Sequence, residues 1–149
     1  MEAQCYVLKM IKNLVFILCF LAVISVEQNA GCKQPACVVR EAYRRAYNLH
    51  DTDAVLALYA DDAVLLSEAG ALRGKPEIRK WLQFAFDQGS VLESITPARE
   101  NFSDTLAYGT GHTKRLAGNE IHLGRYLIVM EKRNGQWSIV EHASFNVHE

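Results

Sequence analysis

Apolar positions recur at helical spacing in the first half of the chain and at alternate residues in the second. From Val38 to Leu49, the residues Val39, Ala42, Tyr43, Ala46, Tyr47 and Leu49 fall on one side of a helix. Arg40, Arg44 and Arg45 fall on the other. Asp51 and Thr52 then carry N-cap chemistry for a short second helix from Ala54 to Tyr59. Asp61-Asp62 predicts a turn and Ala63 to Glu68 a short strand, with Gly70 and Gly74 bracketing a loop. Pro76 suits the first turn of a third helix. Its buried stripe is Ile78, Trp81, Leu82, Ala85 and Phe86; Trp81, Phe84 and Phe86 read as core aromatics, and Gly89 is a natural stop.

Beyond Gly89 the pattern is strand-like. Val91 to Arg99 is one extended run, in which Pro97 predicts an edge or a bulge. Asp104–Leu116 and Glu120–Arg133 flank Ala117-Gly118-Asn119, a three-residue hairpin signal. Asn134-Gly135 is a two-residue hairpin signal leading into Gln136–Val147. Three helices interleaved with one short strand and followed by a meander predict an α+β fold, with helices packed on a mainly antiparallel sheet.

The N-terminal stretch stands apart. Lys9 and Lys12 precede an unbroken apolar run from Leu14 to Ile24, and Ser25 follows, the order of a secretory signal. A bilayer core of about 30 Å takes about 20 apolar residues as a helix, more than this run supplies. The expected layout is therefore a signal peptide at 1–26, an N-terminal arm at 27–37 and one domain at 38–149. Cleavage after Ser25 and after Ala30 both fit, and a retained N-terminal anchor is the rival reading. Of the four cysteines, Cys5 and Cys19 would leave with the signal. Cys32 and Cys37 remain, a pair that suggests a local disulfide in an exported chain, with two free thiols as the alternative. Asn101-Phe102-Ser103 is a glycosylation acceptor triplet, which also fits secretion to the cell exterior.

Half of the 149 residues are apolar or aromatic and the formal net charge is −1. That composition rules out a disordered chain. The balanced charge offers no footprint for nucleic acid or an anionic membrane. No HxH, HExxH or CxxC spacing marks a metal site, no glycine-rich loop marks a phosphate site, and no G-x-S-x-G marks a serine hydrolase. No cofactor or metal is expected.

The order of elements is joined by Asp51-Thr52-Asp53-Ala54, Leu58 to Ala63, Gly74 to Ile78, Gly124-Arg125-Tyr126 and Asn134 to Val140. Over roughly 38–147 this resembles the NTF2-like superfamily, and within it the SnoaL-like and DUF4440-type families. The resemblance implies a curved sheet wrapped on three helices, a conical apolar cavity and homodimerisation through the sheet. It does not imply one activity, since the superfamily holds isomerases, cyclases, dehydratases and noncatalytic binders. Against the steroid isomerases, Tyr43 matches the oxyanion-hole tyrosine, but the catalytic base falls on Ser67 and the second oxyanion donor near Leu127. A hydroxyl is no substitute for a carboxylate base near neutral pH, and leucine donates no hydrogen bond.

Strand alternation sorts the remaining candidates. On the last strand Val140, His142, Ser144 and Asn146 share a face. On the hairpin Tyr108, Thr110 and His112 share one, as do Leu123, Arg125, Leu127 and Val129. The resemblance turns these sets inward, giving Tyr43, Tyr108, Thr110, His112, Arg125, His142, Ser144 and Asn146 as ligand-binding candidates. Each also has a structural reading: Tyr43 as a core tyrosine, Arg125 paired to Glu131 or Glu141, the histidines as interior or surface groups, and Ser144 and Asn146 as polar strand ends. Glu68 beside Ser67 is the one nearby carboxylate, and alternation points it away from the side of Ser67. Three functions remain open. They are a binder of a small hydrophobic molecule; an acid–base enzyme with His142 or His112 as proton shuttle and Tyr43 as donor; and a noncatalytic homo-oligomerisation module.

Overall fold

A computed structural model of the chain describes residues 32–147. The segment expected to be a signal peptide, both candidate cleavage positions, Cys5 and Cys19 lie outside the described residues. The elements are α1 (Pro35–Asn48), α2 (Thr52–Ala57), β1 (Tyr59–Ser67), β2 (Gly70–Arg73), α3 (Gly74–Asp87), β3 (Val91–Phe102), β4 (Leu106–Ala117), β5 (Glu120–Arg133) and β6 (Gln136–Asn146). The strands form one curved sheet in the order β2-β1-β6-β5-β4-β3, antiparallel except where β1 runs parallel to β6. The α+β class expected from the pattern is what is found.

The helices obey their local signals. Asp51 caps α2, its side chain accepting from the Ala54 N–H at 2.9 Å. α1 packs on β3 and β4, and α3 on β1. Val39, Tyr43, Ala46 and Tyr47 of α1 and Ile78, Leu82 and Ala85 of α3 are buried between helices and sheet. Two positions of α1 depart from the expected stripe. Leu49 stands outside, at the C-cap, while Arg40 is buried at 9 % exposure. Phe84, read as core, is 67 % exposed at the edge of α3.

The sheet differs from the simple meander in three places. What read as a loop after Ser67 is a hairpin, β2 pairing back on β1 from Ser67↔Gly70 to Val64↔Arg73. The β4–β5 connection is two residues long rather than three, since Ala117 pairs with Glu120. Asp61-Asp62 is not a turn but part of β1, where Ala60 to Ala63 stand opposite the single residue Val140 of β6. Both aspartates point out to cations, Asp61 to Lys75 and Asp62 to Arg133, each at 2.8 Å. Pro97 behaves as its chemistry requires. It sits on β3, an edge strand, beside a break in register. Asn134 and Gly135 both take positive φ, 52° and 81°, the conformation a two-residue hairpin demands.

Candidate ligand-binding site

The hollow between α1, α3 and the concave side of the sheet has a volume of about 880 Å³. Its walls are mostly apolar, with Val39, Leu92, Ile95, Ile128 and Ile139 among them, and Trp81 and Phe84 contributed by α3. Of the expected ligand-binding residues, Tyr43, His142, Ser144 and Asn146 line it. Tyr108, Thr110, His112 and Arg125 do not.

The reason lies in the phase of β4 and β5. Odd-numbered residues of β4 (Thr113, Arg115, Ala117) and even-numbered residues of β5 (His122, Tyr126, Ile128) face the hollow. His112 and Arg125 are exposed on the opposite side, and Leu127 is 40 % exposed there. Close approach fixes this phase, by helix α1 at Gly109 and by the neighbouring strands at Gly111. A Cβ on Gly109 would stand 3.3 Å from that of Ala36, and one on Gly111 would stand 2.7 Å from the Tyr126 ring and 2.2 Å from the Thr96 carbonyl. Only glycine fits at position 111, and a side chain at 109 would press on Ala36, so the bulkier Tyr108, Thr110 and His112 are turned outward. On β6 a bulge at Val140 breaks the alternation: Met130 pairs with Ile139 and Val129 with Glu141. Ile139 and His142 are therefore both buried, and Val140 does not share the cavity face.

Two polar centres occupy the interior. At the first, the Tyr59 hydroxyl lies 2.6 Å from Nδ1 of His142. Burial alone drives the His142 pKa down to about 4, so the ring is neutral near pH 7. The Tyr43 and Tyr59 phenols are both pushed upward, first by burial. A neutral ring accepting at Nδ1 from Tyr59 carries its hydrogen on Nε2, and that nitrogen has no hydrogen-bond partner among the described residues. Tyr43 packs edge-on against His142 with ring centroids 5.8 Å apart and against Tyr59 at 6.5 Å.

The second centre was not legible from the pattern. Arg40 enters the cavity wall from α1 and forms an ion pair with Glu100 of β3 through Nη1, while Nη2 donates to Cys37 Sγ at 3.1 Å. Its Nε has no hydrogen-bond partner. Tyr126, beside Leu127 where the sequence offered no donor, directs a hydroxyl inward that also has no partner, although the residue is only 8 % exposed. Burial raises the Tyr126 pKa, and the Arg40 guanidinium beside its hydroxyl opposes the rise by its charge and its N–H groups, although the two side chains do not meet in hydrogen-bonding geometry. An unpaired buried hydroxyl costs about 1–3 kcal/mol, so the fold carries a stability penalty at this spot. The only signal available was Tyr126 itself, one residue from the expected donor position.

Around the rim, Ser67 spends its hydroxyl on the β1–β2 turn, accepting from Ala69 N–H at 3.2 Å. Glu68 lies past the end of β1, where alternation no longer applies. It lines the cavity edge, contrary to expectation, and accepts from the Asn146 backbone at 2.6 Å and its amide at 3.0 Å. Among the described residues no cluster of histidine, cysteine or carboxylate groups can hold a metal ion. Cys32 and Cys37 are each disulfide-bonded. Asn101 is exposed near the end of β3.

Comparison with known proteins agrees with this architecture. The SnoaL-like domain family matches residues 39–142. Among solved structures, a ketosteroid isomerase-like protein from Erwinia carotovora atroseptica superposes with a TM-score of 0.66 at 20% identity, covering 75% of this chain and 93% of that one. An NTF2-like protein of unknown function from Pseudomonas putida gives 0.64 at 17%, covering 75% and 84%. A putative calcium/calmodulin-dependent protein kinase type II association domain from Thiobacillus denitrificans gives 0.66 at 15%, covering 77% and 98%. No curated protein matches the sequence. At these identities the solved structures speak for the fold alone, while the family match spans most of the chain: the protein belongs to the SnoaL-like domain family of the NTF2-like superfamily.

Proposed function

We propose that this domain binds a small, mainly apolar organic molecule bearing at least one oxygen acceptor, and does so without chemistry of its own. The observation that carries the reading is the unpartnered Tyr126 hydroxyl, buried in the wall of a cavity of about 880 Å³. Unpaired buried polar groups are rare in folded proteins, and a ligand oxygen would satisfy this one. His142 Nε2 is also a donor without an acceptor among the described residues, and Arg40 Nε has only a long ion-pair contact to Glu41 at 3.6 Å, so the interior calls for oxygen rather than for a further N–H or O–H. Against catalysis, the interior wall holds no carboxylate free to take a proton, and His142 with a pKa near 4 is a weak base. The Tyr43, Tyr59 and His142 cluster favours acid–base chemistry as the second reading, because it gathers two phenols and an imidazole along one wall.

The test is ligand capture. Trp81 lines the cavity, so its fluorescence should respond to apolar ketones and esters, and native mass spectrometry should show one bound molecule per domain. A protein that neither changes emission nor gains thermal stability with any such compound does not bind as proposed. The disulfide state of Cys32 and Cys37 suits an oxidising compartment and so supports secretion. Leu66, Leu123, Leu127 and Phe145, exposed on β1, β5 and β6 on the side of the sheet away from the cavity, support a homodimer through the sheet. Sedimentation of wild type against Leu127→Glu tests that pairing.

A further inference from the structure

We infer that Arg115 is an anion seat at the cavity's edge and that the ligand is a lipophilic monoanion, a carboxylate with an apolar body. The inference rests on the binding reading above. Arg115 extends from the inner face of β4 into the cavity lining. Its only hydrogen bonds among the described residues run to neutral acceptors, Ser90 Oγ and Asn146 Oδ1, both at the long distance of 3.4 Å. It has no ion pair there, whereas the other guanidinium in the wall, Arg40, is neutralised by Glu100. Its Ser90 partner is fully buried and bonded to the Tyr47 hydroxyl at 2.9 Å, which places the guanidinium toward the interior end of the helix–sheet gap.

The neighbouring carboxylates are committed elsewhere. Glu68 holds both nitrogens of Asn146. Glu120 is exposed and faces His122 at 3.7 Å. Both sit in water, where their fields are screened, while Arg115 is half-buried against apolar walls. Ser90 and Asn146 hold the guanidinium by weak bonds that a carboxylate, binding through two parallel N–H donors, would replace by stronger ones. One uncompensated cation suits one negative charge; a phosphate monoester carries more than it can balance. A ligand so anchored extends its body past Trp81 toward Tyr126.

The probes are dodecanoate and methyl dodecanoate, which share a chain and differ in the head group's charge. Binding is followed by Trp81 fluorescence and calorimetry at pH 7.5, with wild-type protein and with Arg115→Gln. Dodecanoate is expected to bind wild type at least about tenfold more tightly than its ester. In Arg115→Gln that gap should close because dodecanoate loses more affinity than the ester, and a melting temperature close to that of wild type shows the variant folded. Equal affinities in wild type, or a gap that persists in Arg115→Gln, overturn the anion seat and leave the binding reading standing. If neither probe binds while neutral ketones do, the anion seat again falls alone. If nothing apolar binds, both fall together.

Discussion

The Tyr59 hydroxyl and Nδ1 of His142 meet at 2.6 Å inside a wall that excludes water. A histidine with 7 % exposure and no carboxylate nearby resists protonation in the folded state, and the groups facing it, Tyr43 and Tyr59, are neutral phenols. Its folded pKa of about 4 lies below the unfolded value of 6.5. Between those two the unfolded chain binds the extra proton, so stability falls as pH drops from about 6.5 to about 4. The full loss is roughly 3 kcal/mol. Denaturant unfolding across that range should show this slope, and His142→Gln should flatten it. A variant with the wild-type slope would assign the acid sensitivity to other groups.

Tyr126→Phe separates stability from binding. Deleting a hydroxyl that has no partner removes an unmet desolvation cost, so the variant should be as stable as wild type or up to about 2 kcal/mol more so. Ligand affinity should fall about threefold to tenfold, the share of one hydrogen bond. Melting temperature and titration on the same preparation check both halves. A clear drop in melting temperature would mean the hydroxyl already has a structural acceptor.

Arg40 and Glu100 should behave as a unit. Removing either partner strands a charge in a buried site, and Arg40→Met or Glu100→Leu should each cost about 3–5 kcal/mol. The double variant should recover a large part of that loss, because no lone charge remains. Urea unfolding of the four proteins in a double-mutant cycle gives the coupling directly, and additive losses would exclude a strong pair.

Gly111→Ala should be among the worst single substitutions in the domain. The new Cβ would fall 2.2 Å from a backbone oxygen of Thr96 and 2.7 Å from the Tyr126 ring, and the backbone oxygen cannot rotate away. A loss of about 3 kcal/mol or more is expected, with altered ligand binding as Tyr126 shifts. Chemical denaturation reads the first and titration the second.

Much of the architecture was legible because the local signals and the fold agree. Asp51 caps, Pro97 breaks register on an edge, and Asn134-Gly135 turns, each for a reason contained in its own side chain or φ preference. The inward set was less legible because β5 is apolar on both faces. Leu123 and Leu127 outward compete with Tyr126, Ile128 and Met130 inward, so alternation shows two faces without saying which is the core. The deciding information is tertiary: Gly109 must lie under Ala36 of α1, and Gly111 against the Thr96 carbonyl and the Tyr126 ring. Arg40 was hidden for a related reason. A charged side chain among Arg44 and Arg45 reads as solvent-facing until its partner, 60 residues away on β3, is known. The Cys32–Cys37 link remains a proposal as a pairing, though each cysteine is disulfide-bonded.

The extra residue at Val140 decides what β6 lends the cavity. Paired without the bulge, the same residues would alternate strictly from Ile139, turning Glu141, Ala143 and Phe145 inward and sending His142, Ser144 and Asn146 to the outside. Deleting Val140 itself would only straighten the strand, since Glu141 would then follow Ile139 facing out and His142 would still face in. The polar lining is thus the product of one backbone irregularity and not of residue types alone.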